Sequence, residues 1–157
     1  MTYQIGLEDF RDTLKDIFPL YCEHYAEMKT RLEGEGTSVS PFKMNFNAYA
    51  NAAAIGQLLH FVARTPEGEP IGYSNIYLTT DAHNGDLIAR EDTIFITRAH
   101  RNGIGRKLTK FILEVLKSKG CKRGYVVAAT DPRIVHLWTR LGFQTVGTAM
   151  VINFEQV

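Results

Sequence analysis

Two glycines two residues apart, Gly103 and Gly105, stand where a strand-like run gives way to an amphipathic helix. That junction constrains this chain more than any other feature. Upstream, Glu91–Thr97 alternates as a strand, with Ile94 and Ile96 on one face and Phe95 on the other. Downstream, Gly103–Lys119 carries an apolar stripe of Ile104, Leu108, Phe111, Ile112, Val115 and Leu116, with Arg106, Lys107, Lys110 and Lys117 largely off it and Gly120 as its C′ residue. The first N–H groups of such a helix have no intrahelical partner, and the helix dipole adds partial positive charge there. Glycines let an anion approach the backbone with no Cβ in the way. Arg98, Arg101 and Arg106 add charge, so the turn suits a pyrophosphate. Taken alone, it also reads as a tight turn whose glycines serve packing. No G-x-x-x-x-G-K-[ST] string exists, and Leu108 stands where a dinucleotide fingerprint needs its third glycine.

The rest of the pattern predicts α-α-β-β-β-α-β-α-β. Glu8–Leu32 has helical spacing, with a kink or break expected at Pro19. Gly34–Pro41 is a loop, and Asn47–Leu59 a second helix capped by Asn45 or Asn47. His60–Arg64 and Ile71–Leu78 form a hairpin across Pro66–Pro70, followed by a polar loop over Thr79–Asp86. Tyr125–Ala129 is a strand. Asp131 caps a helix that starts at Pro132 and closes at Gly142, and Val146–Phe154 is the last strand. Helices alternate with strands only in the second half, which predicts an α/β fold: a mixed sheet with helices on both faces.

At 157 residues the chain fits a single domain over 1–157, able to bury roughly 70% of its unfolded surface. Eighteen basic against 17 acidic residues give a net charge of +1, no electrostatic basis for a large nucleic-acid footprint. Cys22 and Cys121 form no C-x-x-C pair and read as buried thiols, without a zinc site or disulfide framework. Met1–Phe10 has no apolar core and carries Glu8 and Asp9, unlike a signal peptide, and no apolar run reaches bilayer length. A cytoplasmic location is the expectation.

Two blocks carry a resemblance. One is Ile96-Thr97-Arg98-Ala99-His100-Arg101-Asn102-Gly103-Ile104-Gly105-Arg106-Lys107-Leu108; the other is Asp131-Pro132-Arg133-Ile134-Val135-His136-Leu137-Trp138-Thr139-Arg140-Leu141-Gly142-Phe143. With the hairpin before them, they resemble the GNAT superfamily of N-acetyltransferases over nearly the full length, in particular small acetyltransferases encoded by bacteriophages. The resemblance implies a mostly antiparallel central sheet splayed at the cofactor strand. It implies transfer of an acetyl group from acetyl-CoA to a primary amine of a small molecule, a protein or a modified nucleobase, with homodimers common. Pantetheine would pair with the backbone near Phe95, Ile96 and Thr97. Arg101 and the amides of Asn102, Gly103, Ile104, Gly105 and Arg106 would take the pyrophosphate, and Asp131 and Trp138 would complete the cofactor side, Trp138 reading equally as a large core or cleft residue.

The departures are specific. His100 stands where many members have Arg or Gln; if Arg101 is instead the family arginine, the loop is one residue short. Asp131 replaces the usual Asn. Trp138 replaces the tyrosine that often protonates the leaving thiolate, and an indole N–H is no acid at neutral pH. These departures fit a second reading, a non-catalytic module that binds CoA or a protein partner.

For a general base, the resemblance implies a carboxylate early in the cofactor strand. Asp92 shares a face with Ile94 and Ile96 by strand alternation and is preferred to Glu91 on the other face; either also reads as a solvated acid at a strand end. Tyr25, in the first helical region, and His83, in the loop Thr79–Asp86, are the substrate-side candidates, His83 reading also as a plain surface histidine. His24 and Glu27 are a helical His-x-x-Glu pair, too few ligands for a metal, so His24 reads as helix-surface polarity and no metal is expected.

Overall fold

A computed structural model describes residues 2–128 and 131–156. They fall into two compact units, Met1–Tyr125 and Val126–Val157.

The first unit is a five-stranded sheet in the order β1-β2-β3-β4-β5. Its strands are β1 Gln4–Glu8, β2 Leu58–Arg64, β3 Pro70–Thr80, β4 Leu87–Ile96 and β5 Arg123–Tyr125. Neighbours are antiparallel except β4 and β5, which are parallel. This is the mixed sheet that the element pattern predicts. β1 is absent from that pattern because five residues at a sheet edge give too short an alternation to register. β5 starts and ends earlier than the expected Tyr125–Ala129 and shares only Tyr125 with it, while Ala129 lies outside the described residues.

Helix α1, Phe10–Gly34, is capped by Asp9, whose carboxylate accepts from the Arg11 amide at 2.9 Å. It is one element rather than two. Pro19 lies on its exposed side, where the carbonyl deprived of a partner faces water. Phe10, Ile17, Leu20 and Tyr21 point into the core, whereas Cys22, one residue further round the helix, is exposed rather than buried. Helix α2, Phe46–Ala54, takes Asn45 as its cap. It stops short of the expected Leu59 because Gly56, at φ 74°, turns the chain, with the Gly56 and Gln57 amides donating back to Ala53 and Ala52.

Helix α3, Ile104–Ser118, lies on one face of the sheet; Ile104, Leu108, Ile112 and Leu116 pack there with Phe61, Ile71, Ala89 and Ile96. Helices α1 and α2 cover the other face, against Leu58, Val62, Tyr73 and Phe95. Burying each large side chain of this kind stabilises the fold by about 1.5–3 kcal/mol.

The second unit holds α4, Pro132–Arg140. Asp131 accepts from the Arg133 amide at 2.9 Å as the expected cap, and Gly142 closes the helix at φ 97°. Among the described residues after it there is no strand, contrary to the expectation for Val146–Phe154. Val146, Met150 and Phe154 are exposed. A strand needs a neighbour for its backbone groups, and none of the described residues of this unit forms one.

Candidate functional site

Between β4 and the start of α3, Arg98–His100 forms one 3-10 turn, and Gly103 occupies the N-cap at φ 99°. Gly103 has no side chain to cap the helix. The first helical hydrogen bond runs from the Lys107 amide to the Gly103 carbonyl, so the amides of Gly103, Ile104, Gly105 and Arg106 precede it. A Cβ on Gly103 would meet no atom within 4 Å. Its bareness therefore leaves open space outside the helix end, and it is the positive φ, not a neighbour, that favours glycine here. Asn102 is different: its amide already donates to the His100 carbonyl at 2.8 Å, and its side chain meets the Tyr3 hydroxyl. His100 also turns to Tyr3, Nδ1 to hydroxyl at 3.3 Å.

Arg101 is committed to structure. Its Nε donates to the Ile96 carbonyl at 2.8 Å, its Nη2 to Glu27 at 2.6 Å, and its guanidinium lies 5.5 Å from the Phe95 ring centroid. It ties α1 to the end of β4 rather than reaching freely towards an anion. Arg98, Arg106 and Lys107 remain exposed around the turn.

Beyond Arg90 the edge of β4 has no strand partner among the described residues. β5 pairs with β4 only through Ile88↔Arg123, Ala89↔Gly124 and Arg90↔Tyr125, whereas β4 runs on to Ile96. The Thr97 amide donates to Ile71 of β3 at 2.9 Å. By two-residue alternation Phe95 faces β3 likewise, and Ile94 and Ile96 direct their backbone groups to the open side. Of Phe95, Ile96 and Thr97, then, only Ile96 presents backbone to the open side, and of its two groups the carbonyl is already held by Arg101 Nε, which leaves the amide, with the backbone of Ile94 beside it. The Thr97 hydroxyl is taken too, donating to Glu23 at 2.8 Å.

Asp92 lies on a different face from the one strand alternation predicts. β3 and β4 pair Asn75↔Thr93 and then Ile76↔Glu91, which leaves Asp92 as the extra residue of a β-bulge. The bulge breaks the alternation on which that face assignment rests. Asp92 turns to the α2 side, where Tyr49 of α2 donates to its Oδ2 at 2.7 Å, while Glu91 shares the face of Ile76. Desolvation by the surrounding groups raises the Asp92 carboxyl above the ordinary carboxylate range, and the Tyr49 hydrogen bond acts against it.

A polar and aromatic layer surrounds this point. Tyr77 stacks on Tyr49, with centroids 6.4 Å apart. Tyr73 shares a 2.6 Å hydrogen bond with Nδ1 of His24, which stacks on Phe95 at 4.8 Å. His24 is half-buried, not a surface group: burial, with help from Arg101 and Arg31 and against Glu27, lowers its pKa to about 4, so it is neutral at neutral pH. Deeper, Asn75 links the Tyr21 hydroxyl and His60 Nδ1, both at 2.7 Å. Two periodicities mark these residues in the sequence. Ile17, Tyr21 and His24 continue one helical stripe, and Tyr73, Asn75 and Tyr77 share one strand face.

The remaining candidates lie elsewhere. The Tyr25 hydroxyl donates to the Ser40 carbonyl at 2.7 Å and its ring packs on Phe42, holding the loop after α1. His83 is at the tip of the β3–β4 hairpin, in a loop closed by Asp81 and Asp86 and fastened by Arg123. Asp92 lies five residue steps along the strand from Leu87, about 17 Å, so His83 and Asp92 are not brought together. In the second unit, Trp138 packs edge-on to Phe143 at 5.0 Å, and its buried Nε1 has no partner among the described residues. Among the described residues there is no cluster of metal-ligating side chains, and no helix is long and apolar enough to cross a membrane.

Known proteins share this architecture. An aminoglycoside acetyltransferase from an uncultured soil metagenomic sample matches with a TM-score of 0.75 at 15% identity, over 98% of this chain and 99% of that one. A ribosomal-protein-alanine N-acetyltransferase from Brucella melitensis biovar Abortus 2308 matches at 0.70 and 17%, over 98% and 99%. The glucosamine-6-phosphate N-acetyltransferase of Arabidopsis thaliana matches at 0.69 and 14%, again over 98% and 99%. These identities speak for the fold. A comparison with curated proteins gives no match. The sequence model of the acetyltransferase (GNAT) family covers residues 14–143, from within α1 past the end of α4. This chain belongs to the GNAT acetyltransferase family.

Proposed function

We propose that the protein transfers an acetyl group from acetyl-CoA to a primary amine by direct attack in a ternary complex. One observation carries this most: the bulge sets the Asp92 carboxylate beside the stretch of β4 that has lost its β5 partner, and that stretch leads straight to the uncapped start of α3. The named relatives support the reading, being acetyltransferases for an aminoglycoside, a ribosomal-protein alanine and glucosamine-6-phosphate. The family match crosses both compact units, which supports reading them as one functional domain.

The residues fit acetyl-CoA. The amides of Gly103, Ile104, Gly105 and Arg106 would hold the pyrophosphate, with Arg98, Arg106 and Lys107 nearby in place of the committed Arg101. The Ile96 amide and the backbone groups of Ile94 would pair with pantetheine, the Ile96 carbonyl being held by Arg101. When bound, acetyl-CoA supplies a thioester: the amine N–C bond forms as the C–S bond breaks with its electron pair on sulfur. Asp92 takes the proton that the attacking amine sheds, its raised pKa bringing it closer to that task. Amides on the open edge stabilise the carbonyl oxygen. Trp138 offers no acid, so solvent protonates the sulfur.

The test is mass-spectrometric detection of acetylated product from amine panels and lysate incubated with labelled acetyl-CoA. Asp92→Asn should lower kcat by about 10²–10⁴-fold with little change in CoA affinity. An unchanged rate and pH profile would remove Asp92 as base. Trp138 in the family's acid position favours the second reading, a CoA-binding module, and binding without any thioester loss would establish that reading instead.

A further inference from the structure

Arg90 has no ion pair or hydrogen bond among the described residues, although it lies two residues from Asp92 on the same strand. It is exposed, yet held: its guanidinium stands 4.8 Å from the centroid of the Tyr125 ring. The register places it in a row across three strands, Tyr77 of β3, Arg90 of β4 and Tyr125 of β5. Tyr77 faces the α2 side, where it stacks on Tyr49, and Tyr49 in turn holds Asp92. Paired residues project to one face, so Arg90 and Asp92 point to the same side, about 7 Å apart along the strand.

Four other arginines of this unit are committed, Arg11 to Asp9, Arg64 to Glu8 and Asp16, Arg101 to Glu27, and Arg123 to Asp81 and Asp86, while Arg98 and Arg106 stand at the α3 turn and Arg31 on α1, away from this row. Arg90 keeps its donors open while its guanidinium rests over the Tyr125 ring, and a guanidinium so placed loses less freedom on binding an anion. Its fork matches a carboxylate or a phosphate. The Tyr77 hydroxyl, with no hydrogen-bond partner among the described residues, adds a donor on the same face, from the residue paired with Arg90.

We propose that Arg90, seated on Tyr125 and flanked by Tyr77, is an anion subsite of the acceptor pocket, so that the amine acetylated beside Asp92 carries its own small anionic group, a carboxylate or a phosphate. This rests on the transferase reading for the amine half and adds the anionic half.

Two matched acceptor pairs test it: an α-amino acid with its decarboxylated amine, and an aminoalkyl phosphate with its amino alcohol. For each member, thiol release from acetyl-CoA gives kcat and KM, and calorimetric titration in the presence of CoA gives affinity. The anionic member should be preferred by about tenfold to a hundredfold in at least one pair, and which pair shows the preference separates carboxylate from phosphate. Arg90→Gln should bring that ratio close to one, mainly through KM, and Arg90→Lys should leave an intermediate ratio. A ratio near one in the unaltered protein, in turnover and binding alike, overturns the subsite. So does an Arg90→Gln variant that weakens both members of a pair equally. Thiol release without preference sinks the subsite alone. Preferential binding of the anionic members without thiol release sinks the transferase reading and leaves the subsite standing.

Discussion

Opposed influences meet on the Asp92 carboxyl. Desolvation by the groups packed around it raises its pKa, and the hydroxyl of Tyr49 pulls it down by favouring the charged form. Tyr49→Phe therefore removes the restraint and leaves the desolvation. The acid limb of the pH–rate profile, where Asp92 must lose its proton to act as base, should move to higher pH, while CoA affinity stays as it was. A limb that stays in place, or moves down, would show that Tyr49 does not tune this group. His24 adds no competing titration near neutral pH, since its pKa is lowered to about 4. The single-residue details were the least legible in the sequence. Alternation along β4 assigns Asp92 to the face of Ile94 and Ile96, and one bulged residue reverses that assignment. No composition or spacing marks Tyr49 as its partner, because α2 and β4 meet only in the folded chain.

Among the elements, α3 was legible almost to the residue, because a long stripe at helical spacing with charges off it has few other solutions. β1 and the true end of α2 were not. The first is short and lies at an edge; the second depends on Gly56 stopping a helix whose apolar pattern continues into β2. The turn before α3 yields a clean pair of variants. At Gly105, an added Cβ meets only Ile96 Cγ1 at 3.7 Å, ordinary contact, and its φ is not positive. Gly105→Ala should leave stability unchanged or raise it by ~0.5–1 kcal/mol, yet weaken CoA about tenfold or more by standing where a phosphate approaches. Gly103→Val should lose both, because φ 99° strains a branched side chain. Chemical denaturation paired with CoA titration reads both effects. CoA affinity unaffected by Gly105→Ala would move the pyrophosphate away from this helix end.

At the scale of the whole molecule, a sheet with helices on both faces could be read from element order, and the family from two motif blocks that lie in separate compact units. What the second unit adds was less legible: Val146–Phe154 alternates like a strand, but alternation supplies no partner for its backbone. Ligand linkage tests the molecule as one object. Acetyl-CoA at a hundred times its Kd should add about 2.7 kcal/mol of stability and raise Tm by roughly 5–10 °C, read by differential scanning fluorimetry. No shift at millimolar acetyl-CoA would count against the cofactor itself.

The bulge in β4 has a consequence for how this sheet can be altered. Without Asp92, Thr93 and Glu91 would follow each other against Asn75 and Ile76, and β3 and β4 would form one unbroken ladder. The more regular strand would be the better-paired one, and it would lack the carboxylate. Stabilising designs that regularise β4, and deletions that drift through it, are thus drawn towards a sturdier sheet from which the proposed base has been erased.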